Sequence, residues 1–396
     1  MRSDPTRAIP PQTEYGAHPH AVDKFPNFDQ APFLTIWEVT RACALVCHHC
    51  RAAAEDRRDP RELNTDEGRS LVAAIADMGT RVVIFTGGDP LQRDDLELLI
   101  RHAKGLGLRV GTIPAETLRL TRDRIRSIAE AGLDQIAFSL DGSRPELHDG
   151  LRGIPGCFDL AMRAVAWAHD LRLPVQINTV VCARTYDDLP EIAQLVRDLR
   201  AVFWEVFLLV PTGRGAQLEG LTAHQVEEMF AFLYAQSMSA PFLIKITEAP
   251  HYRRYLRQHP PPASTSPRPH GSRVGLSPWP VNAGKGFCFI DHVGEVYPSG
   301  FLPISAGNVR TTPLATIYRH SELFRSLRDP NRLRGRCGRC EFRSECGGSR
   351  SRAYALSGDV FAEDPWCAYD PPSHGPSSEC GVVSGGTNGL DDSRQR

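Results

Sequence analysis

The stretch that decides the fold reads Leu34-Thr-Ile-Trp-Glu-Val-Thr-Arg-Ala-Cys43-Ala-Leu-Val-Cys47-His-His-Cys50. Its first half, up to Thr40, is an apolar and β-branched run that predicts a buried strand. Its second half places three cysteines at a C-x3-C-x2-C spacing in the loop that follows. Thiolates are soft ligands that suit both iron–sulfur clusters and zinc. The segment therefore predicts a metal centre at a strand end, either a cluster with one open iron or a zinc site completed by His48 or His49.

Short apolar runs recur along the chain, and amphipathic helical patterns lie between most of them. The six runs are Leu34–Thr40, Val82–Phe85, Arg109–Thr112, Gln135–Ser139, Val175–Val181 and Trp204–Val210. The helix after the sixth run is predicted to begin at Thr222, which forms a capping-box pattern with Gln225. Strands that alternate with helices indicate βα units and a parallel sheet. Ligands of such sheets bind at the carboxyl ends of the strands, which is where the cysteine loop lies.

A second motif, Thr86-Gly87-Gly88-Asp89-Pro90, follows the second predicted strand. Two glycines let the backbone approach a ligand closely, and Asp89 can accept a hydrogen bond from an ammonium group. Taken alone, the motif is equally typical of an ordinary tight turn. Its position adds information, because thiols follow the first strand and a Gly-Gly-acid loop follows the second.

The composition is that of an ordinary globular protein. The 396 residues are 41% hydrophobic and 23% charged, which excludes wholesale disorder. The net charge is −1, so charge gives no reason to expect a nucleic acid or an anionic membrane as a partner. No apolar run reaches the ~18–20 residues of a membrane span, and the polar N-terminus lacks the apolar core of a signal peptide. We therefore expect a soluble, cytoplasmic protein.

Changes of composition divide the chain into five parts. Residues 1–30 are polar and contain several prolines, which predicts a disordered arm, and residues 31–240 hold the βα pattern. A connecting segment with a Pro/Ser-rich linker is predicted over residues 241–283. Residues 284–370 form a short Cys- and Gly-rich module, whose core would be too small without a metal. The Ser-, Gly- and Asp-rich residues 371–396 are predicted to be a disordered tail.

Eleven cysteines are many for a chain without a secretion signal. Seven form two tight groups, of which the second has the spacing Cys337-x2-Cys340-x5-Cys346-x20-Cys367. Clustered thiols in a reducing compartment are better explained as metal ligands than as a disulfide framework. Cys157 and Cys182 lie in or beside apolar stretches and are expected to be core residues, while Cys380 falls in the tail.

The order of the two motifs, C-x3-C-x2-C after the first strand and Gly-Gly-acid after the second, resembles that of the radical S-adenosylmethionine (radical SAM) enzymes. The resemblance covers residues 32–240 and implies an α/β fold, a partial (β/α)6 barrel. It implies a 4Fe–4S cluster on Cys43, Cys47 and Cys50, whose open iron chelates the amino and carboxylate groups of S-adenosylmethionine (SAM). The implied chemistry is reductive cleavage of SAM to a 5′-deoxyadenosyl radical, which abstracts hydrogen from a substrate.

The same resemblance implies a set of SAM contacts. The ammonium group of SAM would be received by Gly87, Gly88 and Asp89. Aspartate stands here where the family more often has glutamate, which is one methylene longer. Ser139, in Ser139-Leu-Asp-Gly142 after the fourth strand, and Arg152 behind it are similar to the family's ribose and carboxylate contacts. Asn178 on the fifth strand is a further candidate. No catalytic residue is assigned from the sequence.

The C-terminal cysteine spacing resembles the SPASM module that many radical SAM enzymes carry. The resemblance implies one auxiliary 4Fe–4S cluster, held by Cys337, Cys340, Cys346 and Cys367. Two positions of a second, inner cluster hold Ser299 and Arg350 in place of cysteine, and only Cys288 lies roughly where a first ligand stands. We therefore expect one auxiliary cluster, with a structural zinc ion as the alternative. Four cysteine ligands leave no iron open, which favours electron relay over substrate binding.

These resemblances predict an enzyme with a flavodoxin- or ferredoxin-like electron donor and a peptide or small-molecule substrate. The first hypothesis for its function is the maturation of a peptide or protein. The alternative is modification of tetrapyrrole side chains in haem-type biosynthesis by the same radical chemistry. A third hypothesis is a protein without enzymatic activity, an interaction module stabilised by zinc at the two cysteine groups. This hypothesis leaves the Gly-Gly-Asp motif unexplained.

Overall fold

A computed structural model describes residues 27–260 and 280–372. Most of the predicted arm, the Pro/Ser-rich linker and the tail, together with Cys380, lie outside the described residues. The last residues of the predicted arm are packed against the fold. Phe28 is 5% exposed, and its carbonyl oxygen accepts a hydrogen bond from the Tyr318 hydroxyl at 2.8 Å. The prediction of disorder over residues 1–30 is therefore wrong for residues 27–30.

Within the described residues, ten strands form a single sheet. They are β1 (Leu34–Glu38), β2 (Val82–Thr86), β3 (Arg109–Thr112), β4 (Gln135–Ser139), β5 (Val175–Val181), β6 (Phe203–Leu208), β7 (Leu243–Thr247), β8 (Phe287–Ile290), β9 (Glu295–Tyr297) and β10 (Gly307–Asn308). Their spatial order is β10-β9-β8-β1-β2-β3-β4-β5-β6-β7. Neighbours from β8 through β1 to β7 are parallel, and β9 and β10 are antiparallel additions. The predicted α/β fold with a parallel sheet is confirmed.

Helices connect the parallel strands and cover the C-terminal part. They are α1 (Thr65–Asp77), α2 (Leu96–Gly105), α3 (Arg122–Glu130), α4 (Pro145–Arg152), α5 (Cys157–Asp170), α6 (Leu189–Asp198), α7 (Ala223–Ser239), α8 (Tyr252–Gln258), α9 (Leu314–His320), α10 (Glu322–Arg328), α11 (Gly335–Arg339) and α12 (Arg350–Ser357). The predicted capping box opens α7, where the Gln225 amide donates to the Thr222 hydroxyl at 3.2 Å. In the part of the chain that the structure describes, no helix has the length and apolar character to cross a membrane.

The sheet extends one strand beyond the predicted six. Strand β7 falls in residues 241–283, which we expected to be a connecting segment. It pairs in parallel with β6, from Phe203↔Leu243 to Phe207↔Thr247. The prediction missed this strand because it is short and half-buried, and because Lys245 interrupts its apolar pattern.

The sheet has two different faces, because side chains alternate along a strand. The outer face packs against the helices in the main core, which includes the fully buried Trp37, Phe85 and Trp204. On the opposite, inner face, β1 and β2 carry a smaller apolar cluster that includes Leu34 and Val82. The inner face from β4 to β7 instead carries hydrogen-bonded polar side chains, described below. This inner face, at the carboxyl ends of the strands, is where the predicted site residues gather.

The Cys- and Gly-rich C-terminal part is joined to the barrel through the sheet. Strand β8 pairs in parallel with β1, from Leu34↔Phe287 to Trp37↔Ile290. Strands β9 and β10 continue outward from β8. The strand that precedes the first cysteine loop therefore has the C-terminal module as its direct neighbour.

Candidate active site

The three cysteines of the first motif lie in the loop that follows β1. The loop is tied to α4, because the His48 amide donates to the Leu151 carbonyl oxygen at 2.9 Å. Arg214, from the segment after β6, donates to the carbonyl oxygens of Cys47 at 2.9 Å and Ala54 at 3.1 Å. The fold thereby fixes the loop between elements from both halves of the barrel.

Each of the three sulfur atoms lies beside an N–H donor. The donor pairs are Leu45 N to Cys43 Sγ (3.4 Å), Ala54 N to Cys50 Sγ (3.5 Å) and Arg152 Nη1 to Cys47 Sγ (3.8 Å). Burial raises the pKa of the Cys43 thiol to about 12 and also raises that of Cys47. A bound cluster would stabilise the thiolates that burial disfavours. The three residues therefore fit an iron–sulfur cluster.

The Gly-Gly-Asp loop after β2 lies directly against the cysteine loop. The Gly88 amide donates to the Thr40 carbonyl oxygen at 2.8 Å, and the Asp89 amide donates to that of Ala42 at 2.7 Å. A Cβ built on Gly88 would lie 2.4 Å from the Ala42 carbonyl oxygen, and one on Gly87 would lie 2.6 Å from that of Thr40. The two glycines thus allow the backbone of this loop to pack directly against the backbone of the cysteine loop.

Gly88→Ala is expected to remove the iron bound by the first cysteine group. The added methyl group forces the cysteine loop to shift, because backbone oxygens of Arg41 and Ala42 lie 2.6 and 2.4 Å from its position. Iron content after anaerobic reconstitution is the measurement. Gly105→Ala is the matched control, since a Cβ there meets nothing within 4 Å; we expect full iron content and a stability change within about 1 kcal/mol. Full iron content in Gly88→Ala would contradict the prediction.

The side chain of Asp89 is buried and accepts hydrogen bonds from within the protein. The residue is fully buried, and its Oδ2 accepts a hydrogen bond from the Thr117 hydroxyl at 2.7 Å. Its Oδ1 accepts from the amides of Leu91 at 3.1 Å and Ala115 at 3.4 Å. Burial raises the pKa of Asp89, and these hydrogen bonds oppose the rise. The oxygens of Asp89 thus hold the loop after β3, a role that the predicted contact with the ammonium group of SAM did not include.

Arg152, at the end of α4, lies beside Cys47 in a buried charge cluster. Its Nη2 is 2.8 Å from Asp141 Oδ2, and its Nη1 is 3.8 Å from Glu116 Oε2. Burial would raise the pKa of Asp141, but the Arg152 guanidinium, the two neighbouring histidines and the Val180 amide together hold that pKa below its ordinary value. For Glu116 burial prevails and raises the pKa. Arg152 thus forms a short ion pair with Asp141 and a long one with Glu116.

Two histidines complete this cluster. His49 Nε2 lies 3.8 Å from Asp141 Oδ2, and His148 Nδ1 accepts the Asp141 amide at 3.1 Å. Burial lowers the pKa of both histidines to about 4, so both rings are neutral at pH 7. Several buried atoms of the cluster have no hydrogen-bond partner among the described residues, namely His49 Nδ1, His148 Nε2, Glu116 Oε2, Asp141 Oδ2 and Arg152 Nε. Unpaired buried polar atoms are rare, and a group of them indicates a polar ligand.

Sequence reasoning missed Glu116 and His148. Glu116 stands in the run Ala115-Glu116-Thr117, which matches no motif. Its one signal was its position just after a parallel strand, in line with the two motif-bearing loops. His148 lies within α4, and its partner Asp141 is reached only through the tertiary fold.

Ser139 and Asn178 lie on the inner face in a row that crosses four strands in register. The row consists of Ser139, Asn178, Glu205 and Lys245. Ser139 joins it to the charge cluster, because its amide donates to Glu116 Oε1 at 3.2 Å. Asn178 Oδ1 accepts from Gln176 Nε2 at 2.7 Å, which anchors its carboxamide within the sheet. The structure thus brings Ser139 and Arg152 together around Glu116 and places Asn178 one strand further away.

Arg51, the residue after the third cysteine, connects the cysteine loop to the C-terminal module. Its Nη2 lies 2.9 Å from Glu38 Oε2, and its guanidinium carbon lies 4.3 Å from the centre of the Phe289 ring. Glu38 Oε1 is in turn 3.1 Å from His292 Nδ1. These contacts place a cation and an aromatic ring where β1 meets β8.

The four C-terminal cysteines line a single cavity of ≈ 420 Å³. Three arginines share its lining, namely Arg254, Arg336 and Arg343. The Asp364 amide lies 3.4 Å from Cys337 Sγ, and the Gly348 amide lies 3.4 Å from Cys346 Sγ. Among the described residues, no three His, Cys, Asp or Glu side chains converge to hold a single metal ion. The cavity, its N–H donors and its cations fit an anionic multi-iron cluster.

Glu248, just after β7, occupies the junction between barrel and module. Its carboxylate accepts hydrogen bonds from three serine hydroxyls, those of Ser299 (3.0 Å), Ser349 (2.5 Å) and Ser351 (3.0 Å). Its backbone adopts the left-handed region with φ 57°, which is uncommon outside glycine. Ser299, one of the two positions at which cysteine is replaced, therefore serves this junction.

The remaining described thiols are core residues. Cys288 is fully buried on β8 within the main core, and burial raises its pKa. Arg350, at the other replaced position, donates to the carbonyl oxygens of Val360 at 2.7 Å and Ala362 at 2.8 Å. Cys157 and Cys182 are also buried, as their apolar surroundings in the sequence predicted.

Comparison with protein families identifies two domains in this chain. The family model described as the radical SAM superfamily matches residues 37–196. The model described as the SPASM iron–sulfur cluster-binding domain matches residues 282–341. The second range includes Cys337 and Cys340 and ends before Cys346.

Curated relatives match nearly the whole chain. The chain is 42% identical over 343 residues to the AdoMet-dependent heme synthase of Oleidesulfovibrio alaskensis, covering 85% of this chain and 87% of the relative. It is 40% identical over 360 residues to the protein of the same name from Nitratidesulfovibrio vulgaris, covering 90% and 98%. A PqqA peptide cyclase of Bradyrhizobium diazoefficiens is 30% identical over 346 residues, covering 86% and 87%.

Among solved structures, SuiB of Streptococcus suis bound to S-adenosylmethionine is similar in fold. The TM-score is 0.66 at 15% sequence identity, and the match covers 86% of this chain and 78% of SuiB. At this level of identity the likeness concerns the fold alone.

Proposed function

Because this chain belongs to the radical SAM superfamily and carries a C-terminal SPASM domain, we propose that it is a haem synthase that modifies the side chains of a tetrapyrrole. The main support for this proposal is sequence identity: the chain is 42% and 40% identical to two AdoMet-dependent heme synthases over nearly their whole length. The peptide cyclase is more distant at 30%. The order of our two substrate hypotheses is therefore reversed, since peptide maturation has no specific support. Membership of an enzyme superfamily also contradicts the rival hypothesis of a zinc-binding interaction protein.

We assign one cluster to each cysteine group. Cys43, Cys47 and Cys50 would hold the 4Fe–4S cluster that binds SAM, and the four C-terminal cysteines would hold one auxiliary 4Fe–4S cluster. When bound, the first cluster supplies the electron that cleaves SAM and so delivers a hydrogen-abstracting 5′-deoxyadenosyl radical. The contacts of Ser299 and Arg350 within the protein support a single auxiliary cluster. A flavodoxin- or ferredoxin-like protein is the proposed electron donor.

The chain's own residues would orient SAM and exclude water from it. Ser139 and Arg152 lie at the charge cluster beside Cys47, where Arg152 Nε is an unpaired buried donor suited to the SAM carboxylate. The surrounding groups are buried, so charges there interact more strongly than they would in water. Asn178 is retained as a candidate contact on the neighbouring strand.

Groups suited to a tetrapyrrole lie at the mouth of the inner face. A tetrapyrrole has flat apolar faces and peripheral carboxylates. The half-buried rings of Phe207 and Phe301, with centroids 6.3 Å apart, would contact such a face. Arg51 above Phe289 provides a cation close to the cysteine loop. We infer that the barrel comprises β1 to β7 and that the SPASM module begins at β8.

The test is substrate turnover by the anaerobically reconstituted enzyme. The enzyme is given SAM and a reductant with either an iron porphyrin that carries carboxylate side chains or a PqqA-type peptide. We expect 5′-deoxyadenosine and an altered porphyrin, identified by mass spectrometry, in the first mixture and only background cleavage of SAM in the second. An unchanged porphyrin together with a modified peptide would refute the proposal.

A further inference from the structure

We propose that Glu116, and not Asp89, is the carboxylate that binds the ammonium group of SAM. The inference rests on the proposed SAM site beside Cys47 and names a residue within it. It starts from a mismatch, because the acid of the Gly-Gly-Asp loop is buried and already accepts three hydrogen bonds. A carboxylate with fewer hydrogen bonds would bind an ammonium group near that loop more strongly.

Glu116 lies immediately beside the Gly-Gly-Asp loop. Its two neighbours in the chain both bind Asp89, the Ala115 amide at 3.4 Å and the Thr117 hydroxyl at 2.7 Å. On the other side, the Cys157 thiol lies 3.8 Å from the Glu116 carbonyl oxygen. These contacts fix the backbone around Glu116, so the position of its carboxylate is set before any ligand binds.

One oxygen of Glu116 is open to a ligand. The side chain is 0% exposed, and Oε1 accepts from the Ser139 amide at 3.2 Å. Oε2 has no hydrogen-bond partner among the described residues, and its ion pair with Arg152 Nη1 is long at 3.8 Å. An unpaired carboxylate oxygen in a buried site is unfavourable, and a charged N–H donor would satisfy it.

The other buried carboxylates near the cysteine loop are engaged more closely. Asp141 Oδ2 is 2.8 Å from Arg152, and Asp141 Oδ1 accepts the Val180 amide at 2.8 Å. Glu38 is paired with Arg51 at 2.9 Å. One oxygen of each of the three acids lacks a hydrogen-bond partner among the described residues. The ion pair of Glu116 is the longest of the three, so its oxygen is the most open to a ligand.

The charges of the cluster complement those of SAM. Two carboxylates, Glu116 and Asp141, face one guanidinium, that of Arg152. The cluster therefore carries an excess of negative charge. SAM has two cationic groups, the sulfonium and the ammonium, and one carboxylate, so it brings the opposite excess. The ammonium would pair with Glu116 and the carboxylate with Arg152.

The experiment is equilibrium dialysis of radiolabelled SAM against the reconstituted holoprotein. Glu116→Gln should weaken SAM binding at least about tenfold, because it removes a charge-assisted hydrogen bond. The matched control is Glu97→Gln, which removes a buried, Arg124-paired carboxylate on α2; its SAM affinity should stay within about twofold of the wild type. Wild-type affinity in Glu116→Gln would overturn the proposal.

Two further ligands identify the group that Glu116 binds. S-adenosylhomocysteine retains the ammonium and lacks the sulfonium, and 5′-deoxyadenosine lacks the whole amino-acid part. Glu116→Gln should weaken the binding of S-adenosylhomocysteine by the same factor as that of SAM. The affinity for 5′-deoxyadenosine should stay unchanged. Equal weakening of 5′-deoxyadenosine would overturn the ammonium assignment in favour of a ribose contact.

A second variant covers the case in which Glu116→Gln fails to take up iron. Glu116→Asp keeps the charge but shortens the side chain by one methylene. It should therefore weaken the binding of SAM and not that of 5′-deoxyadenosine. Equal affinity of this variant and the wild type for SAM would overturn the proposal. Dialysis measures SAM alone. Failure of haem formation with Glu116-dependent SAM binding intact would therefore refute the proposed substrate and leave this inference standing.

Discussion

Replacing Cys43, Cys47 and Cys50 together by alanine will lower the iron content from about eight to about four per chain and reduce SAM cleavage to background. The three thiols share one loop, and each lies beside an N–H donor suited to a thiolate. The C-terminal cysteines form their own cavity and should retain their iron. Iron, sulfide and 5′-deoxyadenosine are measured after anaerobic reconstitution with SAM and dithionite.

Cys182→Ala is the control for the loss of a buried thiol. Cys182 is 0% exposed, and its thiol lies 3.7 Å from the Thr185 hydroxyl, outside both cysteine groups. It should bind about eight irons and cleave SAM at the wild-type rate. About eight irons in the triple variant would show that the C-terminal group binds more than one cluster. Zinc-loaded, colourless wild-type protein would contradict the assignment of both sites.

Arg352→Met is expected to lower the free energy of unfolding by about 3–5 kcal/mol, because it leaves a buried charge unpaired. Arg352 and Asp364 are both 0% exposed and form two hydrogen bonds of 2.9 and 2.7 Å. Arg352 also donates to the Glu248 carbonyl oxygen at 2.9 Å, which ties α12 to the end of β7. The Asp364 amide in turn lies beside Cys337 Sγ. We expect early loss of the auxiliary iron, measured together with chemical unfolding.

The effect of Arg352→Met should depend on pH in a defined direction. Burial would raise the pKa of Asp364, but the charge and hydrogen bonds of Arg352, together with His251 and the Ser349 amide, hold that pKa below its ordinary value. A carboxyl with a lowered folded-state pKa contributes stability above its unfolded pKa of about 3.9 and loses it as pH falls further. The stability that this pair contributes to the wild type should therefore be full at pH 7 and decline as pH falls below ~4 toward the lowered folded-state pKa.

Arg332→Met is the matched control in the same module. Arg332 forms a similar ion pair with Glu322, but the two side chains are 46% and 73% exposed. Exposed pairs contribute little, so this variant should lose less than about 1 kcal/mol and keep all its iron. Equal losses in the two variants would show that burial of the Arg352 pair does not govern its contribution.

Much of the barrel could be predicted from the sequence, because its strands are short apolar runs bounded by turn residues. The bounds of β3, β4 and β5 agree with the predicted runs residue for residue. The strand that was missed, β7, carries Lys245 on the inner face, where it pairs with Glu205 at 2.6 Å. A local pattern shows a lysine as a break in an apolar run, whereas the fold supplies the carboxylate that neutralises it.

The cysteine groups could also be predicted, because ligand spacing is a local property. The hydrogen-bond partners of Asp89 could not be predicted, since a motif identifies an acid in a loop but not the donors that the fold brings to it. Thr117 and Ala115 come from the loop after the next strand and donate to its carboxylate. Glu116 has no local signature, and its open oxygen is apparent only once α4 places Arg152 beside it.

The pairing of β8 with β1 has a consequence for how the protein is made. During synthesis β1 emerges roughly 250 residues before its partner, so its backbone N–H and C=O groups form an open sheet edge until Phe287–Ile290 has been translated. An open edge is a template for association with other chains. A fragment that ends before β8 should aggregate, so the two iron sites must be separated by side-chain substitution and not by cutting the chain.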